Sequence, residues 1–297
     1  MIHYTNCPIC NSADIHQQLS AKDYTVSGEL FSIWHCNNCT ARFTQDVPEQ
    51  DAIGPYYASD AYISHSDTKE GFVNSLYHKV RKRTLISKRK LIISQTGKAK
   101  GNILDIGCGT GAFLNEIKTA GWQITGLEPD ETARKNAAAL YNIEPLAPGK
   151  LFELKPASYD AITMWHVLEH VHELQAYIRQ AAELLNKDGK LFIAVPNYTS
   201  YDAKLYGAYW AAYDVPRHLY HFSPRSIEQL LAPYNLALTT IKPMWFDSFY
   251  VSMLSEQYKS GKKNIFRAFF NGFVSNCKAL FNKSKCSSVI YIIEKKG

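Results

Sequence analysis

The 297-residue chain has no internal repeats, no low-complexity tracts and no uninterrupted apolar run of bilayer length. Arg267 and Lys278 break every such window in its most apolar segment, which excludes a transmembrane helix. No leader with a basic start and an apolar core precedes the first cysteines, so we expect a reduced, cytoplasmic protein. With 46% hydrophobic and 20% charged residues, the composition is typical of one folded α/β domain with attachments.

The most informative motif is an apolar segment at 102–107 that runs into a glycine-rich turn. The apolar residues predict a short buried strand, and the glycines up to residue 111 allow a tight turn before a helix. Glu128 stands 23 residues beyond Asp105, where the next strand should end. A carboxylate at that place can accept hydrogen bonds from both hydroxyls of a ribose. The motif therefore predicts a cleft for an adenosine-bearing cofactor.

Two cofactors fit this motif. A permissive dinucleotide fingerprint, which would indicate a nicotinamide enzyme, is satisfied by Gly107, Gly109 and Ala112. Asp105, Gly111 and the segment at 159–170 instead resemble the class I S-adenosylmethionine-dependent methyltransferases. In that family the aspartate lies by the methionine end of the cofactor, the glycine loop lies beneath it, and the later acid binds the ribose. The cofactor-binding residues that the resemblance implies are Asp105, Gly107, Cys108, Gly109, Gly111, Glu128, Pro129, Trp165 and His166.

Two CxxC knuckles, 25 residues apart, precede this segment. They consist of Cys7, Cys10, Cys36 and Cys39. Their spacing lets four thiolates close a tetrahedron around zinc, and CxxC pairs of a reduced compartment are more often metal ligands than disulfides. A redox dithiol is the alternative. Because about 45 residues bury little core, the metal would supply much of the folding free energy of a zinc ribbon.

Strands and helices alternate from residue 102 onward, so the main sheet should be parallel. Expected strands are at 102–107, 122–128, 159–165, 190–195, 236–243 and 287–294, and expected helices at 71–95, 111–120, 130–141, 172–186 and 226–233. The last two strands resemble the antiparallel pair that ends a methyltransferase sheet. The resemblance implies an α/β, Rossmann-like fold with a seven-stranded sheet. The expected domains are a zinc ribbon at 1–45 and a methyltransferase domain at 46–297, with a helical insertion at 247–286.

Chemistry should take place after the strand at 159–165, because open α/β sheets bind ligands at the carboxyl ends of their strands. Histidine suits proton removal near neutral pH. The candidate catalytic residues are His166, His218 and His170, and capping or packing is the alternative for each. Arg217 is a candidate for orienting an anionic group. The segment at 167–171 also resembles ubiquinone-biosynthesis O-methyltransferases, where a Glu, Glu, His set is proposed to hold a divalent metal. His166 stands in place of the first glutamate, which puts a magnesium site in doubt.

Basic residues are concentrated at 79–90 and 257–293, each with seven Lys or Arg and no acid. The second segment carries an apolar stripe at helical spacing, composed of Ile265, Phe266, Phe269, Phe270, Phe273, Val274, Cys277, Leu280 and Phe281. This stripe has to meet the core, a second subunit in a homodimer, an anionic membrane or a lipid-linked acceptor, and we expect it to border the acceptor's route. The tyrosines ahead of the core form a candidate lid or pack on the surface, and they are Tyr56, Tyr57 and Tyr62.

Together, the knuckles, the glycine loop and the segments at 166–170 and 216–223 resemble bacterial zinc-ribbon methyltransferases of sugar, surface-polysaccharide or secondary-metabolite pathways. That resemblance implies methyl transfer to oxygen or carbon of a small molecule, a sugar or a lipid-linked glycan. The strand at 159–165 is not followed by the Asn/Asp-Pro-Pro-aromatic motif of exocyclic amine methylation, so a nucleic acid acceptor is disfavoured. The alternatives are an RNA methyltransferase, which the basic helix at 79–90 keeps open, and a scaffold that binds S-adenosylmethionine without turnover.

Overall fold

The structure is a computed structural model that describes residues 1–58, 72–262 and 264–296, without the side chains of residues 72–79. Tyr62 of the expected lid lies outside the described residues. The chain forms two compact units. Unit 1 comprises Met1–Ile63, His166–Ile178 and Ile193–Ile292, and unit 2 comprises Ser64–Trp165, Arg179–Phe192 and Ile293–Gly297.

Ten strands and eight α-helices occur in the described residues. The strands are β1 (Ile15–Lys22), β2 (Leu30–Cys36), β3 (Arg42–Thr44), β4 (Asn102–Ile106), β5 (Gln123–Leu127), β6 (Tyr159–Trp165), β7 (Leu185–Pro196), β8 (Tyr220–His221), β9 (Leu236–Pro243) and β10 (Ser288–Lys295). The helices are α1 (Phe72–Thr96), α2 (Ala112–Lys118), α3 (Glu131–Tyr141), α4 (Leu174–Leu184), α5 (Tyr201–Tyr206), α6 (Pro224–Leu231), α7 (Asp247–Ser260) and α8 (Ile265–Phe281). The five expected helices are confirmed to within about two residues at each end.

In unit 1, β1, β2, β3 and β8 form one antiparallel sheet in that order. Phe31 and Ile33 alternate with exposed or half-buried residues along β2 and join a core that contains Trp210. Phe43 of β3 pairs with Tyr220 of β8, so the strands around the cysteine knuckles share a sheet with a segment far along the chain. The expected boundary at residue 45, with residues 1–45 folding independently as a zinc ribbon, stays a prediction.

The larger sheet has the order β5-β4-β6-β7-β10-β9, and β4 runs parallel to both β5 and β6. Its inner strands are near-continuous apolar runs because both faces are buried, which confirms the Rossmann-like α/β architecture. The described part of the sheet has six strands rather than the expected seven. At the β5 edge, Leu146 makes only an isolated parallel bridge to Leu127. Pro145 and Pro148 flank Leu146, and proline has no N–H to extend a ladder there.

The last two strands are antiparallel to each other, as expected. The Met244 N–H donates to the Ser288 carbonyl at 3.0 Å, and the Thr239 hydroxyl donates to the Ile292 carbonyl at 3.1 Å. Between these strands the insertion forms α7 and α8. The apolar stripe of α8 is mostly exposed, so packing on its own domain is the wrong interpretation for these side chains. None of the helices in the described part of the chain has the length and apolarity to span a bilayer.

Candidate cofactor site and histidine cluster

The loop after β4 has the backbone shape that its glycines predict. Gly107, Gly109 and Gly111 have φ angles of 72°, 55° and 77°, in the left-handed region that disfavours side chains. A Cβ on Gly111 would also lie only 3.2 Å from the Cβ of Ala137 in α3. The Gly107 N–H donates to the Leu127 carbonyl at 2.7 Å, which ties the loop to the end of β5. The loop is therefore preformed in unit 2.

Glu128 is buried at the end of β5 and is held by backbone donors. Its Oε2 accepts the Gly109 N–H at 2.7 Å, and its Oε1 accepts the Asp130 N–H at 3.0 Å. A carboxylate has about four acceptor positions, so two remain for the hydroxyls of a ribose. Burial raises the pKa of Glu128, and the charge of Asp130 adds to this effect. The neighbouring Pro129 carbonyl accepts from Arg134 at 2.8 Å.

Asp105 is buried near the end of β4, where the Thr163 hydroxyl donates to its Oδ1 at 2.6 Å. Burial and the charge of Glu128 raise its pKa to about 7, against the opposing effects of the Thr163 hydrogen bond and of Lys88. A half-ionised carboxyl in this position can gain a full negative charge when a cationic group approaches it.

Trp165 and Cys108 differ in whether their polar groups have partners within the protein. Trp165 packs edge-on against Phe113 and beneath the ammonium group of Lys88, which lies 4.2 Å from its ring centroid. Its buried Nε1 has no hydrogen-bond partner among the described residues, which is unusual for a buried donor. Cys108 instead packs its thiol against Leu114 and donates its N–H to a backbone carbonyl, so it shapes the loop from within.

His170 and His218 form a pair of imidazoles in unit 1, with ring centroids 4.6 Å apart. Nδ1 of His218 lies 2.9 Å from the Ala212 carbonyl, and Nδ1 of His170 lies 3.1 Å from the Arg217 carbonyl. A carbonyl only accepts hydrogen bonds, so each ring carries its proton on Nδ1 and leaves Nε2 as the acceptor. Burial and the neighbouring His218 lower the pKa of His170 to about 4. Tyr57 of the expected lid also contacts Nδ1 of His170, at 3.1 Å.

Glu169 and His166 form the charged part of the same cluster. Glu169 is fully buried, and neither of its oxygens has a hydrogen bond within the described residues. His166 has its Nδ1 3.4 Å from Glu169 Oε1 and its Nε2 3.0 Å from Asp247 Oδ2. Although burial opposes the charge on His166, the two carboxylates raise its pKa to about 10. At neutral pH His166 is therefore an imidazolium with both nitrogens facing carboxylates, which does not favour a base.

Arg217 does not present its guanidinium to a ligand. It is buried between Asp23 and Asp214, at 3.1 Å and 2.6 Å, and it also donates to the Tyr56 carbonyl at 2.7 Å and to the Thr25 hydroxyl. The two carboxylates raise its pKa further, despite burial. The interpretation of Arg217 as a group that orients an anionic acceptor is therefore wrong, because its donors are used within unit 1.

A magnesium site does not fit the cluster. Glu169, His170 and His218 each place one donor atom within 4.8 Å of the others. Two of these three donors are imidazole nitrogens, whereas magnesium demands oxygen ligands. The position of the first glutamate in the expected Glu, Glu, His set holds His166, whose nitrogens both face carboxylates.

The four knuckle cysteines converge in unit 1. Their sulfur atoms all lie within 4.8 Å of one another, with Cys7 and Cys39 3.6 Å apart and Cys10 and Cys36 3.5 Å apart. A disulfide needs about 2.0 Å, whereas the sulfurs of a tetrahedral zinc site with 2.3 Å bonds are about 3.8 Å apart. The geometry fits a four-thiolate metal site.

Asp247 and Asp214 were not predicted as parts of the site. Asp247 opens α7 and reaches His166, and Asp214 lies 3.9 Å from Nε2 of His218. Asp247 is an isolated acid whose partner His166 is fixed by the fold, whereas Asp214 lies only four residues before His218, a spacing that could have indicated the pair. The position of Asp247 at the start of an insertion is a weak signal, because insertions between strands of α/β folds often carry site residues.

Residues 77–241, more than half of the chain, match a family model described as a methyltransferase domain. Over 173 residues the chain is 28% identical to the ubiquinone biosynthesis O-methyltransferase of Nitrosococcus oceani, covering 54% of this chain and 71% of that protein. The mitochondrial ubiquinone biosynthesis O-methyltransferase of Bos taurus is 27% identical over 180 residues, which are 54% of this chain but only 48% of that protein.

The fold is shared with Haemonchus contortus phosphoethanolamine N-methyltransferase 2 in complex with S-adenosylmethionine. The TM-score is 0.54 at 14% identity, covering 86% of this chain and 62% of that chain. This likeness concerns the fold alone. With the family match and the glycine loop, it identifies the chain as a member of the methyltransferase-domain family, of the class I S-adenosylmethionine-dependent type.

Proposed function

We propose that this methyltransferase acts on a hydroxyl oxygen of a small organic molecule. S-adenosylmethionine supplies the methyl group on an already activated sulfonium, so the protein has to align the acceptor and remove its proton. The observation that carries the proposal is the orientation of His218, whose Nδ1 is held by a carbonyl and whose Nε2 is left to accept a proton.

His218 is the proposed base. Asp214, 3.9 Å from Nε2, would stabilise the imidazolium that forms when the ring takes up the acceptor's proton. His170 is a poor proton acceptor because burial and the neighbouring His218 lower its pKa to about 4, so we assign it to orienting the cluster. His166 is assigned to holding Glu169 and Asp247 in place as a positively charged partner.

In unit 2 the cofactor-binding residues keep the roles that the resemblance implies, as proposals. Glu128 would accept the ribose hydroxyls with the lone pairs that the backbone leaves open. Asp105 would pair with the ammonium group at the methionine end, and Trp165 Nε1 would donate to the cofactor. Gly107, together with the rest of its loop, would let the backbone approach the ligand closely.

A small hydroxyl acceptor is favoured by the relatives, which are named as O-methyltransferases of ubiquinone biosynthesis. An acceptor of the ubiquinone-precursor type fits a base such as His218, because a hydroxyl loses a proton on methylation. The comparisons give no support to the expected sugar or glycan acceptor.

The four knuckle cysteines are proposed to hold one structural zinc ion. Four thiolates leave no open coordination position, so we assign no chemistry to the metal. In small modules such a site contributes on the order of 10 kcal/mol to folding. Elemental analysis of protein purified without chelator should find a zinc to protein ratio near one. Four free thiols without metal would refute this assignment.

The acceptor is tested with methyl-labelled S-adenosylmethionine and fractionated extracts. We expect label in small organic molecules, as an ether that survives mild acid and base. Label in RNA or in glycan fractions would refute the acceptor class while leaving the methyltransferase intact. Binding of S-adenosylhomocysteine without any transfer of label to any fraction would instead favour the scaffold alternative.

A further inference from the structure

Helix α8 has two faces of opposite character. Its buried residues are small or polar, and they are Ala268, Asn271, Gly272, Ser275 and Ala279. Seven large apolar side chains on the other face are between 54% and 94% exposed, and they are Ile265, Phe266, Phe269, Phe270, Phe273, Leu280 and Phe281. At 100° per residue these seven positions span about 160° of the helix circumference. The helix is thus apolar toward solvent and polar toward the protein.

Polar contacts fix this orientation. Ser275 donates to the buried Asp202 at 2.9 Å, and Asn271 donates to the buried Glu256 at 3.1 Å. A Cβ on Gly272 would lie 2.8 Å from the ring of Phe249 in α7, so α8 packs closely against α7 at this point. If the helix rotated about its axis to bury its phenylalanines, two buried carboxylates would lose the hydrogen bonds from these donors.

The exposed apolar surface continues beyond α8. Phe249 of α7 stacks on Phe269 with ring centroids 5.0 Å apart, and Trp245, Phe246 and Tyr250 beside it are 38–60% exposed. Contiguous apolar patches of this kind are rare on monomeric proteins unless another surface covers them. An aromatic-rich patch with tryptophan and tyrosine at its margin suits the interface between lipid headgroups and acyl chains.

The basic residues around this patch favour an anionic partner over a second copy of the chain. Residues 257–293 contain seven basic residues and no acid. Lys259, Lys262 and Lys283 are exposed in the segments that precede and follow α8, and Lys278 of α8 lies over the ring of Tyr201. A symmetric dimer through this face would bring the basic rims of two copies together, whereas anionic headgroups complement them.

We propose that the exposed face of α8 binds the surface of an anionic lipid bilayer. In this arrangement the helix lies in the plane of the interface, with its phenylalanines in the acyl boundary and its lysines among the headgroups. The proposal concerns a binding surface of unit 1 and does not depend on the acceptor proposed above.

The test is flotation of the full chain with vesicles of phosphatidylcholine, alone or with about one third phosphatidylglycerol. We expect binding to the anionic vesicles, weakening as salt rises, and little binding to the neutral ones. In Phe266→Ser/Phe281→Ser, which changes the two most exposed side chains, binding should fall at least about tenfold. The melting temperature and S-adenosylhomocysteine affinity should stay at wild-type values.

A matched control replaces two exposed leucines elsewhere, Leu30→Ser/Leu140→Ser, which are 71% and 54% exposed. This control should bind vesicles like the wild type. Absence of binding to anionic vesicles, or equal binding by the phenylalanine variant, would overturn the proposal. A wild-type dimer in sedimentation that becomes a monomer in the phenylalanine variant, without vesicle binding, would replace the bilayer by a second copy.

Discussion

Two buried glutamates, Glu128 in unit 2 and Glu169 in unit 1, differ in what surrounds them. Glu128 accepts backbone N–H groups with both oxygens, whereas Glu169 accepts no hydrogen bond in the described part of the chain and faces imidazoles. Burial tends to raise the pKa of both carboxyls. At Glu128 burial prevails, whereas at Glu169 the positive charge of His166, whose Nδ1 lies 3.4 Å from Oε1, outweighs burial and lowers the pKa.

The difference separates two tasks. Backbone donors keep the same charge and place whether or not a ligand is bound, so a carboxylate that they hold is suited to recognising a fixed pattern of hydroxyls. A ring that takes up a proton during the reaction, the role proposed for His218, gains a positive charge, so a carboxylate beside it is suited to balance that charge. Under the proposed function, the glycine-loop region binds and the histidine cluster reacts. Substitutions in one region should therefore leave the other task intact.

The sharpest division is expected at His218. His218→Asn removes the proposed base, so turnover should fall by about 10²–10⁴-fold while S-adenosylhomocysteine affinity stays at the wild-type value. His172→Asn is the matched control, because His172 lies outside the cluster and contacts the Pro48 carbonyl. Initial rates and calorimetry measure the two quantities. A His218 variant with wild-type turnover would remove the histidine cluster from the reaction.

A smaller effect is expected from the ionisation of Asp105. Its pKa of about 7 means that the carboxyl is half protonated at neutral pH, and only the ionised form pairs with an ammonium group. Lowering the pH from 7 to 5 should weaken S-adenosylhomocysteine binding roughly 50-fold, since affinity follows the ionised fraction. Calorimetry across this range measures the change. Asp105→Asn should bind weakly at every pH, and an equally steep profile in that variant would place the titrating group elsewhere.

Substitution of Glu128 should lower the affinity for the cofactor without changing turnover at saturating cofactor. Glu128→Ala leaves the ribose hydroxyls without their acceptor, so affinity should fall by about 1 to 3 kcal/mol, or roughly tenfold or more, with turnover kept at saturating cofactor. Gly109→Val should act in the same direction because its φ of 55° strains a branched side chain. Glu131→Ala, an exposed acid nearby that pairs with Lys135, is the control. A loss of turnover at saturation would break the division of tasks.

The sequence predicts the binding region better than the reacting one. The glycine loop and Glu128 belong to one βαβ unit, in which strand, turn and helix signals follow each other along the chain. The histidine cluster brings His218 and Asp247 to residues 166–170 from distant segments, and its charges depend on distances that only the folded chain defines. The same limit explains why His166 resembles a neutral base in sequence and is an imidazolium in the structure.

Helix α8 shows a second limit. Its spacing predicts a helix with an apolar stripe, and both are confirmed. Apolarity alone favours turning that stripe inward. The opposite orientation depends on Asn271 and Ser275 meeting the buried Glu256 and Asp202, two long-range pairs that no local pattern indicates. For the same reason β1, β2 and β3 are not predicted, since the stability of a strand depends on the neighbours that the fold places beside it.

The smallest effect tests the claim that His166 is a structural cation rather than a base. The pKa of His166 is raised from 6.5 to about 10 in the folded protein. Asp247→Asn removes one of the two carboxylates that stabilise its imidazolium form. Because the folded pKa is the higher one, the stabilisation is complete below about pH 6.5 and is lost as the pH rises toward 10. The imidazole is 36% exposed, so the difference should not exceed about 1 kcal/mol. Melting temperatures of wild type and variant should therefore differ at pH 6, and the difference should shrink as the pH rises through 10. A difference at pH 10 as large as that at pH 6 would show that Asp247 acts through α7 packing. A variant with undiminished stability at pH 6 but impaired turnover would return His166 to the reacting groups.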